Sequence, residues 1–362
     1  MSEHDRDDLA KDVTYLVGDE PSDFERDACV KIDPVGFHYR PPQVPHELGS
    51  VPTGDEVLFQ TIHMGAAVVD RAKWKLVVDG LVNHPCMLDW PQLLRLPATT
   101  VTAFHECYGS PIKPPTENLW RVGCVEWTGV PLRLILQLAE PQSSAKYVWS
   151  DGLDHGEFFE AKADRYQKDL ILSKAMCDEV LVAYKLNGEY FGKERGGPVR
   201  LVVPGWYGTN STKWLCRLSL QSDRSPGPFT TIYYNEVDPN DPLKKRLRPC
   251  WNVEPNSFFT MAPADTGRTA SSPMAIEGRA WGAHAIAIVE VQIHSSGRPV
   301  AIVKCKVEDR REYEWQKFLG TVKLDPGRYD LIAVATDTTG TTQPLSDRRN
   351  HAHKISIRVS DV

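Results

Sequence analysis

The sequence predicts an α+β protein in which a mixed α/β domain is followed by an immunoglobulin-like β-sandwich. The chain of 362 residues is longer than one hydrophobic core usually supports. Helical and strand-like segments alternate as far as residue 235, and the remainder has the pattern of half-buried strands. We therefore predict an extended arm (1–54), a first domain (55–235), a linker (236–255) and a β-sandwich (256–362).

The arm is polar and rich in proline, ending in HYRPPQVPHELGSVPTGDE. In the first domain, β-branched runs bounded by Gly, Pro, Asn or Asp predict strands. These runs are WKLVVDGLV, TTVTAFHEC, AKYVWSDGL, EVLVAYKLNG, PVRLVVPGWYG and KWLCRLSLQ. Leucines three and four residues apart predict helices in LDWPQLLRL, VPLRLILQLAE and LILSKAMC.

The predicted sandwich follows the polar connector NEVDPNDPLKKRLRPCWNVEPN. Its segments alternate apolar and polar residues and are separated by turns that contain glycine, a pattern typical of half-buried strands. These segments are MAIEGRAWG, AIAIVEVQIHSSGRPV, AIVKCKVED, RYDLIAVATDTTG and HKISIRVS. They lack a Cys-Trp-Cys signature, so they predict the architecture alone.

Composition excludes several classes of protein. The net charge of −6, from 42 basic and 48 acidic residues, gives no general attraction to nucleic acid or to an anionic membrane. No window approaches the ~20 apolar residues of a membrane helix, and the start MSEHDRDDLAKD is too polar for a secretory signal. The eight cysteines form no CxxC pair, which argues against a structural zinc site. We expect a soluble, intracellular and most simply cytoplasmic protein with reduced thiols.

Cys107 lies where a strand-like run gives way to a Gly-Ser-Pro turn, which is a position where proteins display ligands. Three further segments are ordered behind FHECYGS: WRVGCVEWTGVPL, VWSDGLD and NGEYFGKERGGPVRLVVPGWYGTNSTKWLCRLSL. Together they resemble the molybdenum-cofactor domain of the sulfite oxidase family over residues 55–235. The trailing β-domain resembles that family's dimerisation domain. A lone cysteine carries little weight, whereas this ordered set spans many fixed positions.

The resemblance implies a molybdenum-molybdopterin cofactor with Cys107 as a ligand of the metal. A soft thiolate suits a transition metal that a pterin dithiolene already holds. The alternative for Cys107 is an ordinary buried thiol, and Cys124 and Cys216 keep that interpretation. The remaining cofactor-binding residues implied by the resemblance are Phe59, His63, Asp154, Arg195, Arg200, Ser211, Thr212 and Lys213.

The family's active-site tyrosine corresponds to Tyr234 when residues are counted without gaps from KWL. Such a hydroxyl can hydrogen-bond the transferred oxygen and relay a proton. A slip of one residue would exchange Tyr234 with Tyr233. Adjacent strand residues face opposite ways, so we expect only one of them to reach the metal.

Two departures from the family put sulfite itself in question. Arginines suit oxyanions, yet Thr61 stands where one is expected and Ile112 lies where the loop after the cysteine carries another. Arg195 also replaces a usual histidine. Lys113, the KKRLR run at 244–248 and the SDRRNHAHK segment are possible sources of compensating charge, although a basic run is more often a solvated linker.

We interpret the chain as a molybdopterin-dependent oxidoreductase that transfers oxygen to a small sulfur-containing substrate, as sulfite oxidase does. One alternative is an S-oxide or N-oxide reductase on the same cofactor, and another is a cofactor-free binding or scaffold protein. No CxxCH haem motif is present, so we expect no haem and an external electron acceptor, either a cytochrome or oxygen. The resemblance also implies a homodimer.

Overall fold

The computed structural model describes residues 9–16, 24–110, 120–238, 240–261, 272–345 and 349–360. In chain order the strands are β1 (Thr14–Tyr15), β2 (Cys29–Val35), β3 (His38–Arg40), β4 (Gln60–Ile62), β5 (Gly65–Val69), β6 (Lys75–Gly80), β7 (Cys86–Asp89), β8 (Thr99–Glu106), β9 (Val122–Pro131), β10 (Tyr147–Gly152), β11 (Gly156–Phe158), β12 (Ala161–Ala163), β13 (Gln167–Ile171), β14 (Leu181–Leu186), β15 (Glu189–Tyr190), β16 (Arg200–Val202), β17 (Leu215–Gln221), β18 (Asn235–Val237), β19 (Leu247–Pro249), β20 (Asn256–Phe259), β21 (Met274–Trp281), β22 (Ile286–Ser295), β23 (Arg298–Val307), β24 (Gln316–Val322), β25 (Gly327–Asp337) and β26 (His353–Val359). The α-helices are α1 (Trp90–Arg95), α2 (Leu132–Ala139), α3 (Leu172–Ala175) and α4 (Pro228–Thr231). Short 3-10 helices occupy Phe24–Ala28, Pro45–Glu47, Lys193–Arg195 and Gly208–Asn210.

The chain forms two compact units that are interleaved along the sequence. Unit 1 comprises residues 1–40, 60–101 and 126–251, and unit 2 comprises residues 41–59, 102–125 and 252–362. The predicted division into consecutive domains thus differs from the units, because two internal segments join the C-terminal residues in unit 2. Cys107 lies in one of those segments.

Unit 1 contains a sheet in the order β1-β7-β6-β17-β10-β13, in which β6 and β17 are parallel and the other pairs are antiparallel. In a second sheet, β14 pairs with β15, with β16 and with the Trp127–Pro131 part of β9. Buried Trp74, Leu76 and Leu218 from the first sheet pack with Val182 and Leu201 from the second in one hydrophobic core. Burial of such side chains from water supplies most of the driving force for folding.

The helices of unit 1 form where the leucine spacing predicts them. Helix α1 begins with a capping box in which the Asp89 carboxylate accepts from the Gln92 N–H and the Gln92 amide oxygen accepts from the Asp89 N–H, both at 2.8 Å. Helix α2 buries Leu132, Ile135 and Leu136, whose spacing of three and four residues gives the helix one apolar face. The predicted helices are thereby confirmed.

Unit 2 carries the predicted sandwich, in the strand order β20-β21-β24-β23-β22-β25-β26. Strand β23 pairs with β22 along most of its length and with β24 at Lys306 and Val307, so it joins two layers. Phe259 and Phe318 from one layer pack with Val291 and Ala333 from the other. In β26 every second residue from His353 to Val359 is buried, the period of two that HKISIRV predicts.

The α+β fold class, with a mixed domain and a β-sandwich, is confirmed. Part of the predicted arm is in fact paired, because β2 pairs with β5 and β3 pairs with β4. Among the described helices none has both the length and the apolar character needed to cross a membrane.

Candidate active site

In unit 2, Cys107 follows β8 directly and opens a tight turn. Its N–H donates to the Arg121 carbonyl (2.9 Å), and its own carbonyl accepts from the Ser110 N–H (3.0 Å). The Ser110 hydroxyl accepts from the Arg121 N–H at 2.6 Å, and the Arg121 guanidinium donates to the Gly109 carbonyl at 3.0 Å. Backbone hydrogen bonds thus hold the turn, and the Cys107 thiol is half-buried rather than enclosed in the core. This position suits a metal ligand better than the alternative of a buried structural thiol.

The residues beside Cys107 hold it to the rest of unit 2. Glu106 is fully buried, and its two oxygens accept from Asn256 Nδ2 (3.0 Å) and Trp281 Nε1 (2.7 Å). Burial raises the pKa of Glu106 to about 8, against the opposing effects of Trp281 and of the Arg349 charge. Phe59 is also buried and stacks on His105, with ring centroids 5.5 Å apart. Sequence reasoning missed Glu106, although a charged residue at the end of an apolar strand was a usable signal.

Tyr108, the next residue after Cys107, lies against a cation from the C-terminal segment. The Arg349 guanidinium carbon is 3.3 Å from the centroid of the Tyr108 ring. The SDRRNHAHK segment therefore contributes an arginine next to the cysteine turn within the same chain. Ile112 and Lys113 lie outside the described residues.

In unit 1, two predicted site residues are brought together from positions 171 apart in the sequence. The Tyr234 hydroxyl and His63 Nε2 are 2.5 Å apart and share a hydrogen bond. Burial, together with the smaller effect of the Lys213 charge, lowers the pKa of His63 to about 3, so the imidazole is neutral at pH 7. A neutral imidazole paired with a phenol can hold or pass one proton.

Tyr233 and Tyr234 differ in backbone conformation and in hydrogen-bond partner. Both lie between α4 and β18, so the premise that they occupy a strand is wrong. Tyr234 adopts a φ of +61°, a left-handed conformation that is uncommon for a bulky residue and is often found at functional sites. The Tyr233 hydroxyl instead donates to the Phe158 carbonyl at 3.1 Å.

Lys168 is a functional candidate that sequence reasoning missed. It is 1% exposed, and its ammonium group donates to the Phe229 carbonyl (2.7 Å) and lies 5.7 Å from the centroid of the Tyr234 ring. Burial lowers its pKa to about 8. The signal was a Lys-Asp pair in the middle of the short strand β13, since charged residues are rarely buried without a purpose.

Arg200 is buried in unit 1 and has no carboxylate partner among the described residues. Its guanidinium donates to the carbonyls of Arg195 (3.3 Å) and Ser211 (3.1 Å), and its Nε is buried without a hydrogen bond to any described residue. Burial lowers the pKa of Arg200 to about 9, and the Arg195 charge lowers it further. Two adjacent buried guanidinium groups form a site suited to an anion.

Asp154 and Lys213 present opposite charges in the same unit. Asp154 is 3% exposed, and its Oδ1 is buried without a hydrogen bond to any described residue. Burial raises the pKa of Asp154 to about 7. The Lys213 ammonium donates to the carbonyls of Thr61 (3.0 Å) and Glu194 (3.1 Å). Gly196, at φ +90°, lets the chain approach Lys213, because a Cβ there would lie 2.6 Å from the Lys213 Cβ.

Ser211 and Thr212 serve the backbone and the sheet. The Ser211 hydroxyl oxygen accepts from the Val203 N–H at 3.1 Å. The Thr212 hydroxyl is hydrogen-bonded to that of Ser150 at 2.7 Å. We read both residues as supports for the Arg200 and Lys213 segment. The KKRLR run is partly neutralised locally, because Arg246 pairs with Asp238 and Arg248 with Glu236.

These residues match the chemistry of a molybdopterin. A buried arginine pair suits a phosphate, and a buried Asp154 oxygen without a described hydrogen-bond partner suits ring N–H donors. Among the described residues no three His, Cys, Asp or Glu side chains come together to hold a metal ion. A metal bound at Cys107 would therefore take its other ligands from a cofactor, as a dithiolene provides.

The comparisons with known proteins lead to the same class. Residues 63–229 match the family model described as oxidoreductase molybdopterin binding domain. The chain is 26% identical to sulfite oxidase of Gallus gallus, over 81% of this chain and 68% of that protein. It is also 26% identical to mitochondrial sulfite oxidase of Mus musculus (57% of that protein) and to NADH nitrate reductase of Ulva prolifera (36%). It therefore covers between about a third and two thirds of these relatives.

The fold is shared with sulfane dehydrogenase SoxCD from Paracoccus pantotrophus, at a TM-score of 0.73 and 24% identity over 98% of this chain and 89% of that one. The fold and the matched domain define a molybdopterin-dependent oxidoreductase. Residues 63–229 thus carry a molybdopterin-binding oxidoreductase domain, and the chain as a whole is similar to members of the sulfite oxidase family.

Proposed function

We propose that the chain oxidises a small sulfur-containing nucleophile, with sulfite as the reference substrate. Sulfite and water would give sulfate, two protons and two electrons. The observation that carries this proposal is the half-buried thiol of Cys107 at the end of a strand, in a turn that backbone hydrogen bonds hold in place. In a member of this family such a thiol is suited to bind molybdenum.

The bound cofactor would supply oxygen-atom transfer and accept two electrons. Arg200, supported by Arg195, would bind its phosphate, and Lys213 would add a second cation. Asp154 would accept from ring N–H groups. Tyr234 would donate to an oxygen at the reaction centre, with His63 Nε2 holding the shared proton. Phe59, Ser211 and Thr212 would position these groups without contacting the substrate.

The number of cationic side chains at the site affects whether the substrate is an anion. Thr61 removes one expected arginine, but Arg349 places a guanidinium against Tyr108, one residue from Cys107. The two arginines at this turn, Arg349 and Arg121, support a small oxyanion. The electrons would leave to an external carrier or to oxygen. We also propose a homodimer formed through the C-terminal sheet, and an intracellular location.

A second candidate is reduction of an S-oxide or N-oxide on the same cofactor. The replacement of arginine by Thr61 favours it, as does the aromatic setting of His63, which lies 4.8 Å from Phe158 and 5.5 Å from Phe229 by ring centroids. Neutral organic oxides suit such surroundings better than a dianion does. Steady-state assays in both directions, with sulfite and with an organic sulfoxide, distinguish the two candidates.

The presence of the cofactor is tested by measuring the molybdenum and pterin content of the purified protein. We expect near-stoichiometric molybdenum and pterin in protein made by a host that synthesises the cofactor. C107S should lose molybdenum and turnover while retaining its circular dichroism spectrum, whereas C29S, at another half-buried thiol, should retain all three. Activity surviving in C107S would refute the ligand assignment. Folded wild-type protein without metal or pterin would favour the binding or scaffold alternative.

A further inference from the structure

We propose that Glu106 is a positioning residue for Cys107, whose carboxyl group fixes the end of β8 to the sandwich strands β20 and β21. The inference rests on the proposed function of Cys107 as a metal ligand. Glu106 directly precedes Cys107. The hydrogen bonds of its side chain therefore fix the position of the backbone where it enters the cysteine turn. Groups outside the ligand set commonly orient ligands in this way.

The hydrogen bonds that hold the Glu106 carboxyl group join buried groups of unit 2. Glu106 has no exposed surface, Asn256 and Trp281 are each 1% exposed, and each donates to a different carboxyl oxygen. Because the two oxygens accept from two separate strands, the carboxyl group cannot rotate without losing a bond. A buried polar group that loses its partner costs about 1–3 kcal/mol, which keeps the arrangement in place.

Asn256 is itself held by a further layer of hydrogen bonds. Its Oδ1 accepts from the Ser257 N–H (3.0 Å) and from Gln343 Nε2 (3.1 Å). Gln343 Oε1 in turn accepts from the Ser257 hydroxyl (2.8 Å) and the Ala335 N–H (3.1 Å). The amide orientation of Asn256 is therefore determined, and Nδ2 is directed at Glu106. A fully connected network of this kind is rigid.

A second chain segment that contacts the turn is that of Arg121, whose backbone and guanidinium form the hydrogen bonds described above. Trp120, which precedes Arg121, packs at 5.8 Å from both Phe258 and Trp281 by ring centroids. Trp281 thus contacts Trp120 and also donates to Glu106. One indole therefore supports both chain segments that flank the Cys107 turn.

The chemistry of the network provides a rescue experiment. E106Q places an N–H₂ group where both neighbours donate, so one donor must face another donor. N256D in that background replaces the opposing donor by an acceptor and keeps the oxygen that Ser257 and Gln343 require. The double variant E106Q/N256D restores a complete set of hydrogen bonds.

The first readout uses cofactor-free protein and needs no activity. The rate of Cys107 alkylation by iodoacetamide is measured by peptide mass spectrometry, with Cys29 as internal reference. We expect E106Q to change the Cys107 rate by about threefold or more, and the double variant to return within about twofold of wild type. Q316L, at a buried amide that bonds Ile286 and Glu308, is the control for a purely structural loss and should leave the ratio unchanged.

The second readout is on loaded protein. E106Q should lower molybdenum content or turnover about 10-fold and shift the paramagnetic resonance spectrum of the half-reduced metal, with recovery in the double variant. An unchanged alkylation ratio and spectrum in E106Q, or failure of a folded double variant to recover, would overturn the proposal. If E106Q does not fold, W281F removes one donor and gives the same alkylation readout. A wild-type protein without molybdenum would refute the proposed function, while the alkylation result still decides whether Glu106 positions Cys107.

Discussion

Replacing Asp154 with asparagine should remove a pH-dependent decrease in the free energy of unfolding. Burial raises the pKa of Asp154 from 3.8 to about 7, so between these values the folded chain retains a proton that the unfolded chain has released. The folded state therefore loses stability as the pH rises through this window. A window about three pH units wide corresponds to about 4 kcal/mol, at ~1.4 kcal/mol for each unit. D154N lacks this loss.

The assay is urea unfolding of cofactor-free wild type and D154N from pH 4 to pH 8. We expect the stability of D154N relative to wild type to rise by about 4 kcal/mol across this range. D223N, at an exposed carboxylate of the same unit, controls for the change in charge alone. A difference that stays constant with pH would refute the reasoning, because it would mean that Asp154 is solvated or paired in the folded chain. In cofactor-loaded protein the pH-dependent gain in stability of D154N relative to wild type should be smaller, since cofactor N–H donors would stabilise the Asp154 carboxylate.

Three further predictions concern the loaded enzyme. Y234F should lower kcat about 100-fold because it removes the proton shared with His63. Y233F should change kcat only a few-fold. Equal losses of kcat for the two variants in steady-state assays would contradict the assignment to Tyr234. R200M should weaken cofactor retention at least about 10-fold by removing a charge-assisted bond, measured as pterin released on dialysis. R133M, at a half-buried arginine of α2 that pairs with Asp178, should behave as wild type. T61R should raise kcat/KM for sulfite about 10-fold if a missing anion contact limits this substrate, and no gain in sulfite kinetics would favour an uncharged substrate.

The fold was largely predictable because its elements follow local periodicity. The segment HKISIRV alternates with a period of two and forms β26 with alternate residues buried. Leucine spacing placed α1 and α2, and the capping residues Asp89 and Gln92 marked where α1 begins. The interleaved units were not predictable, since nothing in residues 41–59 or 102–125 records that they join the C-terminal strands.

The candidate site was predictable as a set of residues and not as an arrangement. Motif order singled out Cys107, Arg200 and Lys213. It gave Tyr234, with Tyr233 as the alternative after a slip of one residue, and assumed a strand where the chain makes a turn at φ +61°. Lys168 and Glu106 were missed, because their importance comes from burial against residues distant in sequence.

The sequence by itself predicted most of the strands and helices, the family resemblance and Cys107 as the candidate metal ligand, because these depend on residue type and spacing along the chain. Only the tertiary structure decided that the Tyr234 hydroxyl meets His63 across 171 residues and that Glu106 meets Asn256 across 150. It also decided that Asp154 and Arg200 are buried with unpaired polar atoms. Desolvation and hydrogen bonding depend on which groups fold against one another, and these contacts set the pKa values and the rigidity on which the proposed chemistry relies.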